Sequence, residues 1–212
     1  MFYRHKAAHM YRPLSIAIAF TIAEFPFILI ASTVFNLLFY FILGFAMDAG
    51  KFFLFFLFVT LGLTLFSFLG QMLVASFRDA QTAQSMGALI VSSTSLFSGV
   101  FIRPNEIPNY WIWIYWTFPG HYLMEGLLMS QFVGDPTEIS ASFGSPFYLS
   151  LGCNQTVYDP DCSGSASKWI ESNFTDFSRS NIPYDIIYLI GVIFLTRVIN
   201  LVALYKLNYR AT

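Results

Sequence analysis

Two ionisable residues set inside long apolar runs are the first candidates for chemistry in this sequence: Glu24, two residues ahead of Pro26, and Arg197, within the last apolar stretch. A charge placed in hydrocarbon costs about 2.5–3.5 kcal/mol on insertion scales and normally finds a partner. Other chemical spacings are weaker. His121 and Glu125 stand one helical turn apart, but HYLME is not the H-E-x-x-H zinc pattern and lacks a third ligand nearby. His5 and His9 share that spacing in a segment better suited to a membrane interface. Gly44 to Lys51 resembles a phosphate loop only superficially, with the glycine misplaced and Phe52 where Ser or Thr is required. The sequence therefore predicts neither catalytic residues nor a metal site, and no nucleic-acid partner.

These residues must be positioned by membrane helices. The chain has 212 residues, 56% hydrophobic and 11% charged, with a mean hydropathy of +0.61, outside the usual range of soluble domains. Four stretches can cross a hydrocarbon core of roughly 30 Å, which takes about 20 helical residues: 14–43, 52–75, 84–102 and 184–207. None shows the alternation of barrel strands. The expected fold is an all-α polytopic membrane protein with four transmembrane helices. Arg4, Lys6 and Arg12 precede the first stretch, Arg78 lies between the second and third, and Lys206 and Arg210 flank the end of the fourth. Basic flanks mark the cytosolic side, so both termini are expected there and residues 103–183 outside.

Two features of that outer segment agree. Asn154 and Asn173 begin N-x-T glycosylation acceptors. Cys153 and Cys162 are close enough to bridge in an oxidising compartment, which would stabilise the loop by about 2–3 kcal/mol. Residues 110–132 are long enough to cross, but Pro119 and Gly120 interrupt them, and a crossing would put both acceptors in the cytosol. The expectation is a re-entrant pair of short helices, Tyr110–Thr117 and His121–Gln131, with Trp111, Trp113, Tyr115 and Trp116 at headgroup depth. With this topology Glu24 and Arg197 each lie roughly ten residues from the cytosolic end, about 15 Å deep at 1.5 Å per residue. Two readings stand: an ion pair between the helices, or a snorkelling Arg197 with Glu24 protonated or capped at a helix break near Pro26.

The segment LFSGVFIRPNEIPNYWIWIYWTFPGHYLMEGLLMSQF, with the opening F-Y-R-x-x-A-x-x-M-Y, resembles the G subfamily of ABC transporters, particularly its pleiotropic drug resistance type. The resemblance covers nearly all the chain. It implies an ABC-2 type membrane domain in which residues 1–12 form the coupling helix, with Ala7 and Ala8 allowing close docking on a nucleotide-binding domain and Arg4, Lys6 and Arg12 supplying polar contacts. It implies that the third stretch lines a central cavity through Ala88, Val91, Ser92 and Ser95, closed outward by a plug at Val100 and Phe101, where half-size relatives commonly carry leucine. The small residues Ala83, Gly87, Ser95 and Gly99, spaced in fours along this helix, read by their spacing as a helix-packing stripe. Six helices per membrane half are implied, so the chain looks like the last two-thirds of one half. ATP and magnesium would bind a nucleotide-binding domain outside it, and a second transmembrane half would face it. The expected activity is export of lipophilic or amphipathic compounds across the plasma membrane. The alternative is an ATP-independent channel or secondary carrier using Glu24 and Arg197.

Overall fold

The computed structural model describes residues 13–45, 48–102, 107–132, 138–141, 163–174 and 176–206. Three long helices carry the architecture: α1 (Pro13–Leu43), α2 (Ala49–Ser76) and α7 (Ile182–Lys206). Among the described residues these three are long and apolar enough to cross a membrane. Shorter helices follow: α3 (Ala80–Leu96), α4 (Ile112–Thr117) and α5 (Pro119–Phe132), of which α5 packs against both α2 and α7. A pair of three-residue antiparallel strands, β1 (Glu138–Ser140) and β2 (Ser163–Ser165), leads into α6 (Ala166–Asn173). This small sheet was not anticipated; three-residue strands are too short to leave a period-two pattern in sequence.

Helix α1 touches the bundle through a narrow seam. Ile28, Ser32, Asn36 and Tyr40 recur every fourth residue and are buried, while Phe20, Phe27, Ile30 and Phe41 around them are exposed. A helix that is apolar all round yet buried on one stripe is suited to lipid on the rest. The seam's polar residues turn inward on their own helix, Asn36 donating to the Ser32 carbonyl at 2.7 Å and Ser32 to the Leu29 carbonyl at 3.0 Å. Pro26 does not break α1. Neighbouring helices and hydroxyls tolerate such prolines in membranes, so the helix break considered for Glu24 does not occur.

The central helix α2 makes the most extensive contacts, against α7, α1, α5 and α3. Its start is fixed by Asp48, whose side chain accepts from the Gly50 N–H at 2.8 Å. One turn in, Lys51 donates through Nζ to the Gln131 carbonyl at 2.9 Å, and the Gln131 amide donates back to the Lys51 carbonyl at 3.1 Å. A cation on the last carbonyls of α5 answers that helix's negative end. The main core lies at this end of the bundle, where Phe58 and Leu65 of α2 meet Leu123 and Met129 of α5, Ile170 of α6 and Leu189 of α7. At the opposite end the helices close on small residues, Ala17, Ala75 and Ala203.

The expected third span, 84–102, is corrected. The helix is shifted toward the N-terminus and ends at Leu96, so its 17 residues reach only about 25 Å. Ser92 to Ser95 and the turn at Gly99, whose φ is +89°, account for the early end: hydroxyls compete for backbone groups, and a left-handed residue cannot continue a helix.

Gly126 is the tightest contact in the core. A Cβ added there would run into the ring of Phe58, which is itself fully buried. We expect Gly126→Ala to destabilise by about 1–3 kcal/mol, read as a lower Tm in detergent, and Phe58→Leu to restore part of the loss. An unchanged Tm would mean that the ring can move aside.

Candidate functional site

Glu24 of α1, Gln71 of α2 and Arg197 of α7 form one network inside the helical bundle. The Glu24 carboxylate accepts from Ser67 Oγ at 2.9 Å and from Gln71 Nε2. The other end of the same amide, Gln71 Oε1, accepts from Arg197 Nη1. Arg197 Nη2 stands 3.8 Å from Glu24 Oε2, and the guanidinium lies 3.2 Å above the Phe68 ring. An amide carries a donor and an acceptor on one rigid plane, so Gln71 bridges anion and cation without being charged. The arrangement follows from helix geometry: Ser67, Phe68 and Gln71 fall within one turn of α2 and present hydroxyl, ring and amide to the space between α1 and α7. The structure thus brings the two intramembrane charges together, and Arg197 is engaged rather than extended to an interface. Among the described residues its Nε and Nη2 have no hydrogen-bond partner, so the cation is held by charge, ring face and one charge-assisted bond. Sequence reasoning found the two charges but missed Ser67 and Gln71. Their signal was present: two polar residues four apart in an otherwise apolar stretch.

A second polar cluster lies at the opposite end. Glu125 is buried, and its Oε1 accepts from the Ser178 N–H and the Asn181 amide, both at 2.9 Å. Its Oε2 is 3.5 Å from His121 Nε2. Burial pushes the Glu125 carboxyl upward, against the lowering effect of its two donors. His121 is enclosed by Tyr115, Trp116, Tyr122 and Phe177, and burial lowers its pKa to about 4. It is neutral at pH 7, so its contact with Glu125 is not an ion pair there. Beside it the chain breaks between α4 and α5 at Phe118–Pro119. The carbonyls left open at the end of α4 accept from tyrosines: Tyr122 donates to Trp116 at 2.9 Å and Tyr188 to Thr117 at 2.6 Å. The two rings stack at 3.9 Å.

The residues implied as cavity lining, Ala88, Val91, Ser92 and Ser95, fall on one exposed stripe of α3. Its other side packs: Ala83 is buried, and a Cβ on Gly87 would meet Leu73 at 3.4 Å. The small-residue stripe and the cavity stripe are therefore separate, apart from Ser95. Val100 and Phe101 follow the helix end and are 42% and 73% exposed. The network does not include α3, so the charge pair and the cavity stripe are distinct places. Arg4, Lys6, Ala7, Ala8 and Arg12, together with Cys153, Cys162 and Asn154, lie outside the described residues. Asn173 ends α6 with 7% exposure, its amide nitrogen donating to the Trp169 carbonyl at 2.8 Å; a glycan on that nitrogen would have to displace both the bond and the packing.

Comparison with known proteins agrees with the resemblance. A family model described as ABC-2 type transporter matches residues 1–132. ABC transporter G family member 53 of Oryza sativa subsp. japonica is 37% identical over 138 residues, covering 65% of this chain and 10% of the relative. Member 38 from the same rice is 31% identical over 192 residues, covering 88% and 12% respectively. Member 35 of Arabidopsis thaliana is 36% identical over 151 residues, covering 69% and 10%. The chain spans about a tenth of the length of these relatives.

Two outcomes test the two clusters. Gln71→Leu removes both bridging bonds and should cost about 1.5–3 kcal/mol, the range for hydrogen bonds to charged groups, measured as a drop in Tm; Gln71→Met, of similar volume, should lose as much. For His121, the folded pKa lies below the unfolded value of about 6.5, so the unfolded chain binds more protons between about 6.5 and about 4. Stability is therefore lost as pH falls through that window. Glu125 acts with the opposite sign, because its raised carboxyl loses stability as pH rises through its folded pKa. We expect amide exchange in α5, corrected for intrinsic rates, to quicken from pH 7 to pH 5, and His121→Phe to abolish that acceleration.

Proposed function

Because the chain belongs to the ABC-2 type transporter family, as the match over residues 1–132 establishes, we propose that it is the membrane-spanning part of an ATP-driven exporter of lipophilic or amphipathic compounds. It is an integral membrane protein whose three long apolar helices are joined through one charge network. ATP and magnesium would act on a nucleotide-binding domain outside this chain, and a second transmembrane half would complete the pathway. The exposed stripe of Ala88, Val91, Ser92 and Ser95 supports a role for α3 in lining that pathway, with Val100 and Phe101 as its outer plug.

In this reading α3 is the third crossing in chain order, a short helix that local thinning of the bilayer accommodates, and α4 and α5 dip in from the outer face. The tyrosine hydroxyls on the Trp116 and Thr117 carbonyls support it, since backbone broken at membrane depth is tolerated only where its polar groups are satisfied. Both termini would lie in the cytosol, at the end where α1 starts and α2 and α7 finish, and the membrane would be the plasma membrane. Residues 1–12 would couple to the nucleotide-binding domain, placing the Glu24 network about 15 Å beyond that contact, where it can hold the three helices as one moving body. Cys153 and Cys162 would bridge in the outer loop, where Asn154 would be an acceptor site and Asn173 one only after release from the Trp169 carbonyl.

The test is transport into inside-out vesicles from cells expressing this chain together with a nucleotide-binding domain and a second membrane half. Uptake of a fluorescent lipophilic cation should require ATP and magnesium and fail with a non-hydrolysable analogue. Glu24→Arg and Arg197→Glu should each lower uptake by about ten-fold or more, the equivalent of 1.4 kcal/mol, and the double exchange should recover part of it. Flux without nucleotide would replace this reading with the channel or carrier alternative.

A further inference from the structure

A cavity of about 600 Å³ opens between α1, α2 and α7, beside the charge network. It lies apart from the exposed stripe of α3. Its size falls in the range of small-molecule sites, and its lining follows their pattern of apolar walls with a few convergent polar groups. Phe20, Val74 and Leu204 supply apolar wall, while Glu24, Ser67 and Gln71 meet at one side.

Two observations point to an occupant. The Glu24 side chain remains 28% exposed although it sits well inside a membrane-spanning helix. A carboxylate offers roughly four lone-pair positions, and its described hydrogen bonds come from Ser67 to one oxygen and Gln71 to the other. Arg197 Nη2, at 3.8 Å, is beyond hydrogen-bond reach. The anion therefore keeps acceptor capacity directed at the cavity. The second observation is Gly70. Cβ atoms on Gly62, Gly87 and Gly126 would all meet neighbouring side chains, the use expected of glycine in membrane helices; on Gly70 and Gly191 a Cβ would meet nothing within 4 Å among the described residues, but Gly191 is exposed on α7 whereas Gly70 is half-buried. Gly70 lines the cavity. Its missing side chain serves no close helix contact; it leaves the cavity open.

We propose that this cavity binds a single-chain amphiphile whose head group is a hydrogen-bond donor, a long-chain alcohol or primary amine, with the head on Glu24 and the hydrocarbon against Phe20, Val74 and the bare backbone at Gly70. The proposal concerns binding alone and goes beyond the export reading, so it stands or falls without ATP.

The experiment uses the protein in phosphatidylcholine nanodiscs and a diazirine-bearing octadecanol as probe, with labelled peptides located by mass spectrometry. Labelling should concentrate on residues 16–24 and 67–75. Octadecanol and octadecylamine should compete, the stronger competitor distinguishing alcohol from amine, whereas octadecyl methyl ether should compete about ten-fold less, the effect of one hydrogen bond of about 1.4 kcal/mol. Gly70→Leu, whose Cβ has open space and whose remaining atoms would project into the cavity, should cut labelling by about ten-fold in protein that elutes and melts as the wild type does. Equal competition by the ether on the wild-type protein overturns the proposal, whatever the variant does. So does labelling spread over the outward phenylalanines of α1, or labelling that a folded Gly70→Leu leaves unchanged.

Discussion

A carboxylate and a guanidinium placed within apolar helices have to be matched to each other, because in hydrocarbon neither can draw on water. Here the match runs through Gln71, which turns its amide nitrogen to Glu24 and its oxygen to Arg197. The consequence is architectural: α1, α2 and α7 are fixed in one relative register and depth, since sliding any of them by a turn would leave a charge unpaired. Weak apolar association between helices in lipid does not specify register by itself. The alanine contacts near the same end, among Ala17, Ala75 and Ala203, can be close because the network has already set which faces meet.

The opposite end solves a different problem with the same economy of polar groups. The chain turns at Phe118–Pro119, where the backbone carbonyls of Trp116 and Thr117 lose helical partners. Tyr122 and Tyr188 supply donors while their stacked rings add apolar contact. Tyrosine suits the position because it joins a wide apolar body to a single donor. Glu125 ties the approach to α7 in the same manner, accepting from Ser178 and Asn181, and Lys51 with Gln131 closes the remaining helix ends. Apart from the Tyr122 bond, these contacts join residues 53 to 80 positions apart, so this end of the bundle is tied across the sequence as the charged end is.

Much of this was legible before any coordinates. The long apolar stretches named α1, α2 and α7 to within a few residues, and the interruption at Pro119 and Gly120 marked the boundary of α4 and α5. Less legible was α3: its hydropathy is diluted by Ser92 to Ser95, and the apolar residues Phe97 and Val100 to Ile102 extended the apparent span past the true helix end. The strands β1 and β2 escaped because pairing over three residues is decided by the partner strand. Of the polar network, the two charges were conspicuous because any charge in an apolar run is, whereas Ser67 and Gln71 read as ordinary polar residues until helix packing set them opposite Glu24.

What the sequence determined by itself was solvent and periodicity: which segments belong in lipid, where proline ends a helix, and which residues are too costly there to be accidental. These depend on neighbours within a few positions of the chain. What only the tertiary structure decided was pairing: that Gln71 stands between Glu24 and Arg197, that Tyr188 reaches the carbonyl of Thr117, that Gly126 receives Phe58 while Gly70 faces empty space. Such contacts join residues tens of positions apart, and no local pattern distinguishes a glycine that admits a ring from one that leaves a cavity, because the difference lies wholly in what the neighbouring helix presents.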